Sequence, residues 1–267
     1  MPPSAVIDEP KFTSTVIIGE TKLAPPTSPP RKSEEAKFPS VEYYDHLAKV
    51  YENAFSHDIG LEEFIQQTLL ELPKNAKVLD VGCGTGKPVS YTMAAHGHNV
   101  HGFDLSSAMV DLSIKRVPTG SFEQANMLEY SPRFRNNTPD IDVIFTIFSL
   151  FCLSRKEMIT MASKMFNWLK PNGLLCIGTI CAEDFKTTPS MYDTDGLCAT
   201  NVKMMFMGSR CSSMTAFTKQ GWKSVIETAG FEIIHTKSNL FVPRPSPGVA
   251  TDDEMHYFIM ARKIQEG

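Results

Sequence analysis

Residues 78–86 constrain the fold of this chain more than any other segment. They read Val-Leu-Asp-Val-Gly-Cys-Gly-Thr-Gly, an apolar run carrying an acid and ending in three glycines at alternate positions. This order is typical of a buried strand that passes through a glycine turn into a helix, and such turns cradle ligands. The third glycine of a dinucleotide-binding G-x-G-x-x-G turn would be residue 87, and this residue is Lys. The glycine spacing therefore disfavours a dinucleotide.

Two acids indicate which ligand the turn binds. Asp80 comes directly before the turn, where a carboxylate would repel a pyrophosphate and attract an ammonium group. Asp104 ends the next predicted strand, one strand–turn–helix–turn–strand unit further along the chain. A carboxylate there can accept hydrogen bonds from both vicinal hydroxyls of a ribose. Together the acids predict S-adenosylmethionine, which carries an amino group and a sulfonium and has no phosphate.

The sequence resembles the class I S-adenosylmethionine-dependent methyltransferases that act on small molecules, over roughly residues 43–262. The resemblance implies a Rossmann-like, doubly wound α/β sheet of seven strands. Six of these strands would be parallel, and the last would be inserted antiparallel. The segments that carry the resemblance are 80–86 and 104–109 (first and second motifs), 141–146 (fourth strand), 169–175 (turn before the fifth) and 229–234 (approach to the sixth).

Hydrophobic periodicity predicts the same α/β class independently. Strands that alternate with helices form parallel βαβ units with right-handed crossovers. The two final strands are joined by a proline-containing loop without a helix, so they should be antiparallel. The predicted strands are 77–81, 99–103, 120–124, 141–147, 173–180, 231–241 and 255–262, and the predicted helices are about 86–95, 107–116, 155–169 and 221–229.

The chain is predicted to form a single domain over residues 41–267, preceded by an arm. Residues 1–40 contain two proline pairs and no periodicity, which predicts a flexible arm. Residues 41–72 show helical spacing and are expected to cap the cofactor mouth. An insertion at 182–216, after the fifth strand, is rich in methionine. It is interpreted either as a substrate lid that adapts to an apolar ligand or as a short helix packed on the sheet.

Further cofactor contacts are implied by the resemblance. Asn126 takes the place of the acid that usually accepts a hydrogen bond from the adenine amino group, and Met127 would lie beside the ring. Thr146 would contact the methionine part, and Leu105 and Met109 would sandwich adenine, although a surface turn or core packing explains these residues equally well. The predicted cofactor site comprises Tyr51, Asp80, Gly82, Cys83, Gly84, Gly86, Asp104, Leu105, Met109, Asn126, Met127 and Thr146.

The resemblance implies methyl transfer to an oxygen or nitrogen of a mostly apolar small molecule, such as a secondary metabolite. Transfer from a sulfonium is an in-line displacement, which needs alignment and water exclusion, and a base only if the nucleophile must lose a proton. Many relatives carry a His pair where this chain has Phe151 and Cys152, so the catalytic residues are left open. The alternatives are a cofactor-binding regulatory protein that does not methylate, and a cyclase or rearrangement catalyst with the same fold.

Other classes of partner and location are disfavoured by the sequence. The net charge is −4 and no basic stripe occurs, which argues against nucleic acid. No apolar run reaches about 18 residues and the start lacks a signal pattern, so we expect no membrane span and a cytoplasmic location. The six cysteines form no C-x-x-C pair, and the histidines at 96, 98 and 101 diverge across a helix end and a strand. We expect no metal, and the oligomeric state stays open.

Overall fold

The structure is a computed structural model that describes residues 41, 44–45, 54–55, 57–134, 138–244 and 250–264. The predicted arm at residues 1–40 lies outside the described residues, and so does most of the predicted cap before residue 57. The described residues at 41, 44–45 and 54–55 are helical. The cap continues as helix α1, Ile59–Glu71, whose N-terminus is capped by the Asp58 carboxylate through a 3.1 Å bond from the backbone N–H of Leu61.

A seven-stranded sheet forms the centre of the domain. With strands numbered along the chain, its members are β1 Lys77–Val81, β2 Asn99–Asp104, β3 Ser121–Gln124, β4 Ile141–Ile147, β5 Leu169–Ile180, β8 Phe231–Phe241 and β9 Glu254–Lys263. Their order across the sheet is β3-β2-β1-β4-β5-β9-β8. Strand β9 pairs antiparallel with both of its neighbours, while the remaining strands run parallel to one another. The predicted seven-stranded sheet with one inserted antiparallel strand is therefore confirmed.

The order of the strands fixes where a ligand can bind. Strand β1 lies between β2 and β4, so the winding direction of the sheet reverses at β1. In open α/β sheets, ligands bind at such a switch point, outside the carboxyl ends of the strands. The carboxyl ends of β1, β2 and β4 lie at this edge, so Asp80 and Asp104 lie at the same edge of the sheet.

Four further helices cover the sheet: α2 Val89–Ala95, α3 Ser107–Arg116, α4 Arg155–Trp168 and α5 Lys219–Thr228. Helix α2 begins later than predicted because the glycine turn extends through Gly86, whose φ is 80°. Helix α5 begins earlier, since the Thr218 hydroxyl caps it by accepting a 2.9 Å bond from the N–H of Gly221. Within the described ranges, no helix is long and apolar enough to cross a membrane.

The insertion at 182–216 contains two single-turn 3-10 helices, Ala182–Asp184 and Pro189–Met191, and a β-hairpin rather than an α-helix. Strands β6 Cys198–Phe206 and β7 Ser209–Phe217 pair antiparallel and form a separate two-stranded sheet. Side chains from the hairpin pack with residues after β4 and at the end of β5 to form an apolar cluster at the ligand edge. Its buried members include Phe151, Ile180, Val202, Met204, Phe206, Met207 and Met214.

Candidate functional site

The glycine turn gives a backbone that only glycine adopts easily. Gly82, Gly84 and Gly86 have φ values of 74°, 52° and 80°, in the left-handed region. A Cβ on Gly82 would lie 2.5 Å from the Ser149 Cβ, so a side chain is excluded there. A Cβ on Gly84 would meet nothing within 4 Å. The turn therefore leaves open space beside residue 84, which a side chain would fill and a ligand can use.

Asp80 lies beneath the turn as a buried carboxylate. Its side chain is 3% exposed and accepts a 2.7 Å hydrogen bond from the Ser90 hydroxyl. Burial is the main cause that raises the pKa of Asp80 to about 7; the Ser90 hydrogen bond opposes this rise and the nearby charge of Asp104 adds to it. Within the described part of the chain, Asp80 is thus a buried acid without a basic partner, and a cation placed near it would favour the ionised form.

Asp104 holds the turn in place with backbone hydrogen bonds. One carboxylate oxygen accepts the N–H of Gly84 at 2.9 Å and the other accepts the N–H of Ser106 at 2.9 Å. Burial raises the pKa of Asp104, although these backbone N–H groups oppose the change, and Asp45 contributes to the rise. Each carboxylate oxygen has two lone pairs, so both oxygens can accept a further bond from a ligand hydroxyl.

Asp45 is a third acid at this edge, and the sequence analysis missed it. It accepts a short hydrogen bond from the Ser106 hydroxyl and a longer one, 3.4 Å, from the N–H of Ala108. It thereby ties the N-terminal helical segment to the start of α3. A lone acid in an amphipathic segment gives no sequence signal for this contact. Asp45, Asp80 and Asp104 together make the edge negative, which suits a cationic ligand and disfavours a phosphate.

A crevice of about 370 Å³ opens beside the turn. The predicted residues among its lining are Asp80, Gly82, Cys83 and Gly84, and the others include Phe55, Asp58, Phe148 and His256. Burial raises the pKa of Cys83 well above its ordinary range, so its thiol stays protonated and is not a nucleophile. A larger cavity, about 750 Å³, lies at the opposite ends of β1, β2 and β4, near Lys77, Asn99 and Ile141. The conserved position of ligands in such sheets favours the crevice.

A smaller cavity lies on the other side of Phe148 and Phe55, which line both spaces. Phe148 has a φ of 52°, and its N–H donates to the Gly178 carbonyl at 2.8 Å. We call this space the acceptor cavity. It measures about 40 Å³ and is lined by Tyr44, Phe55, Phe148, Phe151, Ile180, Met204, Phe206 and Glu254.

Comparison with known families identifies the domain. Residues 78–173 match a family model described as a methyltransferase domain. This part of the chain is a methyltransferase domain, as expected for a class I S-adenosylmethionine-dependent methyltransferase. The match begins in β1, runs through the glycine turn and ends in β5, so it includes both Asp80 and Asp104. The identity predicted from the turn and the two acids is confirmed.

Related proteins agree with this assignment. The phosphoethanolamine N-methyltransferase of Plasmodium falciparum is 32% identical over 151 residues, 54% of this methyltransferase and 55% of the relative. O-methyltransferase 3 of Dictyostelium discoideum is 25% identical over 69% of this chain and 45% of its own length. The chain thus spans about half the length of these relatives.

A solved structure shows the same fold. The 1,6-didemethyltoxoflavin-N1-methyltransferase of Burkholderia thailandensis, with bound 1,6-didemethyltoxoflavin and S-adenosylhomocysteine, superposes with a TM-score of 0.58 at 16% identity. The match covers 84% of this methyltransferase and 87% of that protein. At this level of identity the likeness concerns the fold.

The remaining predicted residues are spread around the edge rather than gathered in the crevice. Leu105 is 49% exposed, whereas Met109 is buried at 3%, so the two side chains have opposite environments. Thr146 is fully buried and its hydroxyl lies 2.8 Å from the Ser149 hydroxyl, which donates to the Val81 carbonyl. Thr146 is therefore linked to the end of β1 through the Ser149 hydroxyl. Tyr51 lies outside the described residues.

Asn126 and Met127 follow β3 in a turn. The Asn126 side-chain oxygen accepts a 3.0 Å bond from the N–H of Leu128, so one of its two lone pairs is used locally. The Met127 methyl lies 3.8 Å from the position that a Cβ on Gly82 would take. Met127 thus approaches the glycine turn, and its contact with an adenine ring stays a prediction.

The site fits the cofactor by its own chemistry. Space beside Gly84 is open where a Cβ would project, and Asp80 and Asp104 lie at this turn with no salt bridge to a basic side chain among the described residues. A nucleoside with a sulfonium and an ammonium group offers the hydroxyl donors and the positive charge that these carboxylates lack. Among the described residues, no group of three or more metal-ligating side chains could hold a metal ion.

Proposed function

We propose that this methyltransferase binds S-adenosylmethionine in the crevice and methylates a small molecule held in the acceptor cavity. The observation that carries the proposal is the pair of acids, buried Asp80 and half-buried Asp104, at the glycine turn with its open space at Gly84. Asp104 would accept hydrogen bonds from the ribose hydroxyls, and Asp80 would attract the ammonium group. The contacts predicted for Leu105 and Met109 belong to the same proposal.

The chain's own residues have a limited chemical task. When bound, the cofactor supplies an electrophilic methyl group on a positively charged sulfur. Phe55 and Phe148 stand between the crevice and the acceptor cavity, where their rings exclude water from the path between the two. Alignment and dehydration account for most of the rate in a displacement of this kind, because no oxyanion develops.

The acceptor is proposed to be a small molecule with an apolar body, methylated on nitrogen or oxygen. The cavity walls support this, since Phe151, Ile180, Met204 and Phe206 are all apolar. The names of the relatives support both atoms, since one is an N-methyltransferase and another an O-methyltransferase. We further propose that residues 182–216 form a substrate lid, with the β6–β7 hairpin as its rigid part. The cytoplasmic location stays a prediction.

Calorimetric titration with S-adenosylmethionine tests the cofactor site. Asp104→Ala should weaken binding by about 100-fold, because two charge-assisted hydrogen bonds are lost. Asp111→Ala is the matched control, since Asp111 is exposed on α3 and should leave the affinity unchanged. Equal affinity of Asp104→Ala and the unaltered protein would refute the ribose assignment.

Transfer is tested with methyl-labelled S-adenosylmethionine and a metabolite extract, followed by mass spectrometry of the small molecules. A labelled product supports the proposed function. Cofactor binding without any labelled product would instead support the regulatory or cyclase alternatives.

A further inference from the structure

Three buried ionisable side chains form a chain of hydrogen bonds between the crevice and the acceptor cavity. His256, on β9, is 1% exposed and its Nδ1 lies 2.6 Å from an oxygen of Asp58. Its Nε2 lies 3.0 Å from one oxygen of Glu254. Asp58 lines the crevice and Glu254 lines the acceptor cavity. The chain therefore reaches from the cofactor side of Phe148 to the substrate side.

The second oxygen of Glu254 is unsatisfied. Glu254 is 5% exposed, and within the part of the chain that the structure describes its Oε1 has no hydrogen-bond partner. A buried carboxylate oxygen without a partner costs free energy, so proteins retain such groups where a ligand satisfies them. Because Glu254 lines the acceptor cavity, a group that enters this cavity is a candidate for the partner that Oε1 lacks.

The charge of the chain indicates what that group carries. Burial lowers the pKa of His256, but its hydrogen bonds to the Asp58 and Glu254 carboxylates outweigh burial and raise the pKa, which favours the imidazolium. One imidazolium between two carboxylates leaves one negative charge. The rest of the lining described for the acceptor cavity contains no Lys, Arg or His to balance it. A positively charged hydrogen-bond donor would both satisfy Oε1 and neutralise the cluster.

We infer that Glu254 selects a methyl acceptor whose head group is a primary or secondary amine, held by its N–H against Oε1. The inference rests on the proposed function and names its substrate class: an amine on an apolar body. The cavity is about 40 Å³, and a single water needs roughly 10–15 Å³ on this measure. A head group of a few atoms therefore fits in this cavity, and the apolar body of the acceptor would lie outside it.

The same carboxylate can prepare the amine for methylation. An ammonium nitrogen has no free lone pair and cannot react. Transfer of one N–H proton to Oε1 converts the ammonium to a neutral amine and the carboxylate of Glu254 to a carboxylic acid. The freed lone pair points at Glu254, so the amine would rotate about its C–N bond to present it to the methyl group. An N–C bond would then form as the S–C bond breaks, the sulfur would leave as a neutral thioether, and the proton would stay on Glu254 until the methylated ammonium product leaves.

The test compares matched probes on the unaltered protein in the presence of S-adenosylhomocysteine. The probes are phenylalkylamines with one to four methylenes and the corresponding phenylalkanols, whose affinities are measured by titration with NMR detection. We expect at least one amine to bind about tenfold or more tightly than its alcohol. Equal affinities, or binding by none of the amines, would overturn the inference, because a bound water would then explain the cavity.

Variants locate the selectivity at one side chain. Glu254→Gln should reduce the affinity for the preferred amine about tenfold or more and leave the alcohol nearly unchanged. Glu232→Gln, at an exposed position on β8, is the control and should alter neither. An unchanged amine affinity in Glu254→Gln would overturn the role of Glu254. Affinity for S-adenosylmethionine is measured in each protein, since its loss in the unaltered protein would refute the proposed function instead.

Discussion

Replacing Asp80 by Asn should stabilise the free protein while weakening its affinity for the cofactor. Burial raises the pKa of Asp80 from 3.8 to about 7. The folded protein therefore holds this proton more tightly than the unfolded chain, and stability falls as pH rises from about 4 to 7. One pKa unit corresponds to about 1.4 kcal/mol. The raised pKa of Asp80 therefore reduces the stability of the folded protein by about 4 kcal/mol at pH 8 and by under about 2 kcal/mol at pH 5.

Asn carries no charge and can still accept the Ser90 hydroxyl, so the variant escapes this cost. The stability of Asp80→Asn relative to the unaltered protein should therefore increase by about 2–3 kcal/mol between pH 5 and pH 8. Urea denaturation at both pH values measures this difference, with Asp111→Asn as an exposed control. A stability difference that does not change with pH would show that Asp80 is not a desolvated acid, and the reasoning about its ligand would lose its basis.

Three further predictions concern the turn and the buried cluster. Gly84→Ala and Gly97→Ala both place a methyl group at positive φ in open space, so each should cost about 1 kcal/mol of stability. Only Gly84→Ala should weaken S-adenosylmethionine binding in calorimetry. Equal binding by both variants would argue against a ligand at the turn. Ser90→Ala removes the bond that lowers the Asp80 pKa, so the pH midpoint of cofactor binding should move upward, and an unchanged midpoint would contradict the assignment of that midpoint to Asp80. The pKa of His256, measured by NMR, should lie above 6.5. Its stabilising contribution should be complete below pH 6.5 and should be lost as the pH rises through the folded pKa. A pKa below 6.5 would mean that burial outweighs the two carboxylates.

Much of the fold was predictable because local patterns and long-range packing agree. Buried strands between helices appear as apolar runs, and a loop too short for a crossover helix requires antiparallel pairing of β8 and β9. The insertion at 182–216 was not predictable in the same way. Its methionines fit a helix, a lid or a strand equally well, and only pairing between Cys198–Phe206 and Ser209–Phe217 decides in favour of a hairpin.

The candidate site was predictable where a backbone requirement coincides with an acid at a strand end. Glycines at positive φ and the carboxylates Asp80 and Asp104 satisfy this condition. Asp45 and the His256 cluster do not, because their partners are distant in sequence and no spacing rule connects them. Asp58 and His256, for example, are separated by 198 residues. Such contacts exist only after the sheet has formed, so they follow from topology rather than from any local pattern.

The hairpin and the start of β9 are joined by main-chain hydrogen bonds. Gly208 donates to the Ala250 carbonyl at 2.7 Å, and Asp252 donates to the Met205 carbonyl at 2.8 Å while its own carboxylate accepts the Met205 N–H. The apolar roof of the acceptor cavity and the segment that carries Glu254 are therefore one mechanical unit. Engineering a new substrate range by grafting a foreign hairpin would displace that acid as well, so residues 198–217 and 250–256 need to be exchanged together.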